Sequence, residues 1–254
     1  MLGAGNLGTH LTLALQNAGH QVLQIYSKTE SSASELGEKA GIDWTIDISS
    51  LIKDADLYIY ALKDSVLSSV MREVKVSDDA IHVHTGGSVD IQIFQGVKKH
   101  YGVFYPLQTF TKVRPVDFKK IPLFLEGSDV GVLELLQDLA GSLSDTTYTI
   151  NSEERLRLHV AAVFACNFVN HMYNIASDIV QESNLPFDVL LPLILETAGK
   201  VEDLHPADAQ TGPAKRYDTN IIHKHLDLLR FHSEWGLLYQ QLSQMIFQKH
   251  LHQS

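Results

Sequence analysis

Residues 3–8, Gly3-Ala4-Gly5-Asn6-Leu7-Gly8, form a G-x-G-x-x-G run close to the first residue. An apolar pattern with helical spacing follows directly, through Leu7, Leu11 and Leu15. Glycines at these three places permit a tight turn, let an anion approach the backbone, and bring a helix close to a sheet. The N–H groups at the start of that helix face the anion. The run therefore predicts a turn that binds phosphate.

The residues that follow give this turn its context. Gly19 ends the predicted helix, and residues 20–26 read as a strand. Turn, helix and strand in this order form the first unit of a Rossmann dinucleotide-binding domain. The alternative is a glycine-rich turn without a ligand. We expect a cofactor pyrophosphate to bind at Gly3, Ala4, Gly5, Asn6 and Leu7.

The strand that leads into this turn is short. Only Met1 and Leu2 precede Gly3, whereas a strand normally has about five residues. The first strand of a Rossmann unit is usually central in its sheet. We therefore expect the natural first strand to begin before Met1.

The end of the second strand indicates which cofactor binds. An acidic residue there hydrogen-bonds the ribose 2′-hydroxyl of NAD, but this chain has Ser27, Lys28 and Thr29. Two hydroxyls and a cation can hold a 2′-phosphate, which a carboxylate would repel. The alternatives are a solvated turn, or Glu30 acting as a late acidic partner. The sequence favours NADP over NAD.

Composition limits the classes of protein that remain. The 254 residues fit one large domain or two modest ones, and 44% of them are apolar. The net charge of −10 argues against non-specific binding to nucleic acid. Cys166 is the single cysteine, which excludes an internal disulfide and fits a reducing compartment. Without an apolar run of about 18 residues or a signal-peptide pattern, we expect a cytoplasmic protein that does not bind membranes.

Strand and helix signals divide the chain near residue 150. Strands are predicted at 20–26, 42–46, 56–62, 80–84, 101–105, 121–125 and 146–150, with helices between most of them. After Asn151 no strand signal remains, and helices are predicted over 153–182, 186–203 and 220–250. The pattern predicts an α/β domain with a mostly parallel sheet over 1–150, followed by an all-helical domain over 151–254. A substrate would bind between two such domains.

Three strand ends carry polar or glycine residues. Ligands of open α/β sheets lie beyond the carboxyl ends of the strands. We therefore expect the cofactor to contact Ala61, Leu62, Lys63, Thr85 and Gly86, and the substrate to contact Gly87, Ser88, Tyr105 and Gln108. The alternatives are a solvated Lys63 and a purely structural turn after Tyr105. His82 and His84 share one side of a strand, but no further ligand completes a metal site, so none is predicted.

The first predicted helix of the second domain carries polar residues among small and apolar ones. At about 100° per residue, His159 and Asn170 lie within about 20° of one another, with Asn167 and His171 on an adjacent stripe. We expect this helix to be buried, so these groups need partners in the core or in a substrate. Arg216, in the loop at 210–218, could clamp a carboxylate or phosphate, or pair with Asp218.

Seven segments together resemble a family of NADP oxidoreductases that joins a Rossmann-like domain to a helical domain similar to that of 6-phosphogluconate dehydrogenase. The segments are GAGNLG at 3–8, YSKTE at 26–30, LKDS at 62–65, HTGGS at 84–88, FYPLQTF at 104–110, HVAAVFACNFVNHMY at 159–173 and QTGPAKRYD at 210–218. Pyrroline-5-carboxylate reductase and ketopantoate reductase are similar at a greater distance. The resemblance implies hydride transfer with NADPH and a homodimer formed through the helical domain.

One departure from related enzymes bears on the chemistry. The β-hydroxyacid dehydrogenases carry a catalytic lysine three residues before an asparagine, and matching that asparagine to Asn167 places Phe164 at the lysine. Phenylalanine cannot transfer a proton, so His159 or His171 would have to act. We predict hydride transfer to or from a small keto or imino substrate with a carboxylate, with His159, Asn167 and Asn170 catalytic. The alternatives are an NADP-binding regulator without turnover and a reductase coupled to a deazaflavin.

Overall fold

The computed structural model describes residues 1–251, and the chain divides into two compact units. The first unit, Met1–Asn167, combines a sheet with helices, and the second begins at Phe168 and has only helices among its described residues. The predicted class, a Rossmann-like mostly parallel sheet followed by a helical region, is confirmed. The last strand ends at Thr149, and the division between the units falls after Asn167. The domain boundary at residue 150 stays a prediction.

The first unit contains seven strands. They are β1 Ile25–Tyr26, β2 Trp44–Thr45, β3 Leu57–Tyr60, β4 Ile81–His84, β5 His100–Pro106, β6 Leu123–Gly127 and β7 Thr147–Thr149. Five of them form a sheet in the order β3-β4-β5-β6-β7, and β1 pairs with β2. Every pairing is parallel except that of β5 with β6. Each predicted strand has a counterpart, although the one predicted at 20–26 pairs only at Ile25 and Tyr26.

Leu2 joins the two groups of strands. It forms isolated parallel bridges to Tyr26 on one side and to Tyr60 on the other, and it is 1% exposed. Its N–H donates to the Ile59 carbonyl, and its own carbonyl accepts from the Ala61 N–H, both at 2.8 Å. Leu2 thus holds the central position of a Rossmann sheet, between β1 and β3.

Helices cover the sheet of the first unit. They are α1 Asn6–Asn17, α2 Glu30–Ala40, α3 Asp64–Glu73, α4 Val130–Leu143 and α5 Ser152–Ala162. The main core lies where α1 and α4 pack on the middle strands, around Leu11, Leu136 and Phe104, all 0% exposed. The start of α5 has a full capping box, in which the Asn151 side chain accepts from the Glu154 N–H and Glu154 accepts from the Asn151 N–H.

The helix that leaves the sheet is not α-helical throughout. A π-helical stretch, Val163–Phe168, follows α5 and leads into α6, Val169–Glu182. In this chain Val160 is 50% and Phe164 is 62% exposed, so the prediction of a buried helix is wrong for the single chain. A π-helix bonds i→i+5 and turns less per residue than an α-helix. The prediction that His159 and Asn170 lie on one face requires an uninterrupted α-helix between them, which the structure does not contain.

The second unit holds the remaining helices. After α6 they are α7 Leu191–Asp203, α8 Pro206–Ala209, α9 Pro213–Arg216, α10 Thr219–Leu228 and α11 Ser233–Leu251. The helix predicted over 220–250 is therefore two helices, separated by the 3-10 turn Leu229–Phe231. The loop predicted at 210–218 contains the short helix α9, and α8 lies just before it. Each of these two helices starts at a proline, as is common at the first helical position. Within residues 1–251, no helix is long and apolar enough to span a bilayer.

Candidate functional site

The glycine-rich turn packs directly against the end of β3. Gly3 has φ +111°, and a Cβ there would overlap the Ala61 carbonyl and come within 3.2 Å of Leu62 Cδ2. A Cβ at Gly8 would overlap the Gly3 carbonyl oxygen and lie 3.5 Å from Ala61 Cβ. Both positions need glycine, because the turn, α1 and Ala61 meet there without room for a side chain. The structure thus brings the predicted cofactor residues of two segments together.

The start of α1 has the properties of a phosphate site. Gly5 is the N-cap and supplies no side-chain acceptor, so no side chain caps the first N–H groups of the helix. A Cβ at Gly5 would meet nothing within 4 Å, so the space beside the turn at this residue is open. The backbone of Gly5, Asn6 and Leu7 therefore fits a pyrophosphate.

The end of β1 presents the residues predicted to choose the cofactor. Ser27 follows the strand, and its hydroxyl accepts from the Thr29 N–H at 3.3 Å. Lys28 and Thr29 are exposed, and Glu30 is the first residue of α2. A cation and two hydroxyls thus stand at the strand end, ahead of the first acidic side chain.

The loops after β3 and β4 are linked by side chains. Lys63 is the N-cap of α3, and Asp64 is the first helical residue. The Asp64 carboxylate accepts a 2.5 Å hydrogen bond from the Ser88 hydroxyl. The hydroxyl of Thr85 donates a hydrogen bond to the Tyr60 carbonyl, 3.4 Å away, at the end of β3. Lys63 is exposed.

Tyr105 and His159 form the most distinctive group of the site. The Tyr105 hydroxyl and His159 Nδ1 are 3.1 Å apart, and the two rings meet edge to face. A Cβ at Gly87 would lie 2.5 Å from His159 Nδ1 and 2.9 Å from Tyr105 Cζ, so both rings lie directly against the Gly87 backbone. Burial raises the pKa of Tyr105, and the positive charge of Arg155 acts in the opposite direction. Three residues predicted separately, Gly87, Tyr105 and His159, therefore meet at one place.

The sequence did not indicate Arg155, which is 1% exposed and lies one helical turn before His159. Its guanidinium forms an ion pair with Glu126 of β6 and donates to the Val89 carbonyl. Glu126 also accepts from the Ser152 N–H at 3.0 Å and the Ser152 hydroxyl at 2.8 Å. An arginine one turn before a candidate histidine was the available signal, but its burial is not visible in the sequence.

Other predicted residues are not joined to this group by any contact that the structure gives. Gln108 is exposed, and its side-chain oxygen accepts from the Thr109 N–H at 2.9 Å. Asn167 lies in the π-helical stretch of the first unit. Asn170, His171 and Arg216 belong to the second unit and are exposed in the single chain. Their roles stay predictions.

His82 and His84 of β4 are buried and form hydrogen bonds with neighbouring groups of the first unit. His82 Nδ1 is 2.9 Å from the Tyr60 hydroxyl, and His84 Nδ1 accepts from the Gly86 N–H at 3.1 Å. Burial lowers the pKa of each to about 3. Among residues 1–251, no group of three or more histidine, cysteine or acidic side chains is placed to hold a metal ion.

Two protein families match parts of this chain. Residues 1–85 match the family described as "NADP oxidoreductase coenzyme F420-dependent". Residues 121–246 match the family described as "Domain of unknown function (DUF2520)". A comparison with curated proteins gave no match.

Solved structures extend the likeness over the whole chain. A Bacteroides fragilis protein described as a "putative NADP oxidoreductase" is 46% identical, with TM-score 0.94, covering 97% of this chain and 96% of its own. The fold is shared with 1-pyrroline-5-carboxylate reductase from Streptococcus pyogenes, at 14% identity and TM-score 0.65, covering 96% of each chain. It is also shared with pyrroline carboxylate reductase from Plasmodium falciparum "with NADP bound", at 13% identity and TM-score 0.61, covering 97% of this chain and 96% of that one. This chain therefore belongs to the NADP oxidoreductase family that the Bacteroides fragilis protein represents.

Proposed function

We propose that the protein transfers a hydride between NADP(H) and a small keto or imino substrate that bears a carboxylate, and that Tyr105 and His159 supply the proton. The 3.1 Å contact between the Tyr105 hydroxyl and His159 Nδ1, held against Gly87, carries this proposal. The pair lies where β4 and β5 end, the edge at which open α/β sheets bind ligands. Reduction of a C=O or C=N bond needs both a hydride and a proton.

The pair can deliver a proton at a defined atom. Because burial raises the pKa of Tyr105, its phenol carries its proton at neutral pH. In the proposed mechanism this hydroxyl donates to His159 Nδ1, 3.1 Å away. That hydrogen bond fixes the tautomer of His159 with hydrogen on Nε2. The Nε2 proton then passes to the substrate heteroatom, and the Tyr105 proton moves to Nδ1. Water then supplies a proton to Nε2, and the Nδ1 proton returns to the Tyr105 oxygen, which restores the starting tautomer.

The cofactor, when bound, supplies the hydride. Gly3, Gly5 and the first N–H groups of α1 would hold its pyrophosphate, and Thr85 and Gly86 would flank its nicotinamide. Ser27, Lys28 and Thr29 would select NADP over NAD, since the positive charge of Lys28 suits a 2′-phosphate.

The substrate carboxylate needs a cationic or amide partner. We propose Arg216, Asn167, Asn170 and His171 for this role, because side chains of these types bind carboxylates. In the first unit, we propose that Gly87, Ser88 and Gln108 contact the substrate.

We also propose a homodimer formed through the helical unit. That unit exposes many large apolar side chains in the single chain, among them Leu195 at 71% and Phe231 at 80%. Apolar surface of this extent is typical of a protein–protein interface. Light scattering on the purified protein should give twice the monomer mass, and a monomer at micromolar concentration would contradict the proposal.

The test of the enzymatic proposal begins with consumption of NADPH in the presence of imino and keto acids. Pyrroline-5-carboxylate is the first compound to try, because it is a cyclic imine with a carboxylate. One protein of the same fold is named for it, and another is named for a pyrroline carboxylate. With an active substrate, His159→Gln and Tyr105→Phe should each lower kcat by about 10² or more, while NADPH affinity changes by a few-fold at most.

The control is His100→Gln, at the opposite end of β5 from Tyr105. It should keep wild-type turnover. If folded His159→Gln also keeps wild-type turnover, the proton does not come from this pair, and His171, Lys63 or another group must supply it.

A second function is favoured by the family match of residues 1–85, whose description names coenzyme F420. In that reaction the hydride passes between NADP and a deazaflavin, without an imine or ketone. NADPH-dependent bleaching of the deazaflavin, with no reduction of keto or imino acids, would establish it. NADPH binding without either reaction would leave the third candidate, a regulator without turnover.

A further inference from the structure

A buried ion pair connects the sheet to the helix that carries His159. Arg155 and Glu126 form it, and Arg155 also donates to the Val89 carbonyl and, at 3.0 Å, to the Ser152 hydroxyl. Ser152 accepts in addition from the Ile91 N–H at 3.0 Å. The start of α5 is thus attached both to β6 and to the loop after β4.

These attachments bear directly on the site. Val89 lies two residues after Gly87, so the same guanidinium that holds α5 also holds the segment against which His159 rests. Arg155 and His159 are four residues apart in one α-helix and therefore share a face. A shift of α5 at Arg155 would move the His159 ring away from Gly87 and Tyr105.

The charge of Arg155 has a second effect. When the pair gives a proton to a substrate, negative charge appears on the Tyr105 oxygen, in a buried place where such charge is costly. The charged group that acts on that oxygen is Arg155, whose own partner is Glu126, and the titratable neighbour is His159 itself. The Arg155 charge opposes the effect of burial on the Tyr105 pKa.

We propose that Arg155 is a positioning residue that holds His159 against Tyr105 and stabilises the negative charge left on the Tyr105 oxygen after proton transfer. This inference rests on the proposed function for its role in turnover, but the placement of His159 can be tested without a substrate. Glu126 is the counterion that allows the arginine to be buried.

The first test is nitrogen NMR of protein labelled in histidine, with the His159 signals assigned by their loss in His159→Gln. Wild type should show the two ring nitrogens of a single fixed tautomer, with hydrogen on Nε2. Arg155→Met should give averaged nitrogen shifts, since the ring no longer rests in one place. NADPH affinity, measured by calorimetry, should stay within about three-fold, because the glycine-rich turn is not altered.

The control is Arg157→Met, which removes the same residue type from the same helix. Arg157 is 77% exposed and pairs with Glu153 on the surface, so its loss should leave the His159 signals as in wild type. Because Arg155→Met leaves a buried carboxylate without its cation, the double variant Arg155→Met/Glu126→Gln is the second variant. It removes both charges and keeps a side-chain oxygen for Ser152.

Where a substrate is known, the pH profile of kcat gives the second measurement. The double variant should lose at least ten-fold in kcat, and its alkaline limb should move to higher pH, whereas Arg157→Met should do neither. The proposal is wrong if the folded double variant keeps the fixed His159 tautomer and the wild-type profile. Without any turnover in wild type, the proposed function fails, and the NMR result alone decides whether Arg155 positions His159.

Discussion

Replacing Gly87 with alanine adds only one methyl group, but it should displace the rings of His159 and Tyr105 and destabilise the protein. The added methyl would stand 2.5 Å from His159 Nδ1, 2.9 Å from His159 Cγ and 2.9 Å from Tyr105 Cζ. These atoms belong to two rings that are hydrogen-bonded to each other, so neither can turn away freely. Overpacking of this kind costs about 1–3 kcal/mol. For a protein of this size, that corresponds to a fall in melting temperature of about 2–12 °C.

The matched control is the neighbouring Gly86→Ala. Its methyl would meet Val89 Cγ2 at 3.1 Å and the Asp64 carboxylate at 3.3 Å, and small shifts of these side chains relieve both contacts. We expect a cost below about 1 kcal/mol, within the usual range for a tolerated change.

Calorimetric melting of both variants, and of Gly87→Ala combined with His159→Ala, completes the test. In the double variant the ring of His159 is gone, so most of the cost of Gly87→Ala should disappear, a coupling of about 1 kcal/mol or more. The reasoning is refuted if Gly87→Ala has the melting temperature of the wild type, or if its cost is the same with and without His159. Either result would mean that the His159 and Tyr105 rings do not pack against Gly87.

Three further predictions follow from other features. Burial lowers the pKa of His82 and His84 from 6.5 to about 3, so the unfolded chain binds protons that the folded chain does not. For each of these histidines, the free energy of unfolding should therefore fall by up to about 1.4 kcal/mol per pH unit as the pH drops from about 6.5 to 3. Urea titrations across that range should show a shallower loss for His82→Gln, and an unchanged loss would contradict this. NADPH should bind more tightly than NADH by calorimetry and Lys28→Ala should remove most of the difference; equal affinities in wild type would refute the preference. Adding about five apolar residues before Met1 should raise the melting temperature by several degrees, because they would lengthen the short strand through which Leu2 bridges β1 and β3. A melting temperature no higher than that of the wild type would contradict this prediction.

The sequence predicted those parts of the fold that depend on local pattern. β3 is a run of apolar and aromatic residues, and β4 alternates Ile81 and Val83 with two histidines. The helix predicted from residue 153 begins at Ser152 as α5. Strand direction depends on long-range pairing, so the antiparallel β6 could not be read from residues 121–125. The π-helical stretch could not be predicted either, since nothing in Val163–Phe168 differs in periodicity from an α-helix.

The site shows the same limit. Gly87, Tyr105 and His159 were each found from their residue type and from their position at a strand end or on a helix. That they meet at one point depends on tertiary packing, which a single sequence does not display. Arg155 could not be predicted for a related reason: most arginines are exposed, as Arg157 is. Only the fold shows that Arg155 pairs with Glu126 and donates to the Val89 carbonyl.

The one antiparallel pairing of the sheet, between β5 and β6, decides the direction in which the chain approaches the ligand edge. β6 begins opposite Pro106 and ends opposite Gly102, and β7 runs with it, so the chain leaves the sheet near the end where β5 begins. Helix α5 then travels back alongside β5, from Glu126 at its start to Tyr105 at His159. With a parallel β6, the same helix would start at the ligand edge and carry His159 away from it. One change of chain polarity thus allows a residue from outside the sheet to reach the edge without a long connecting loop.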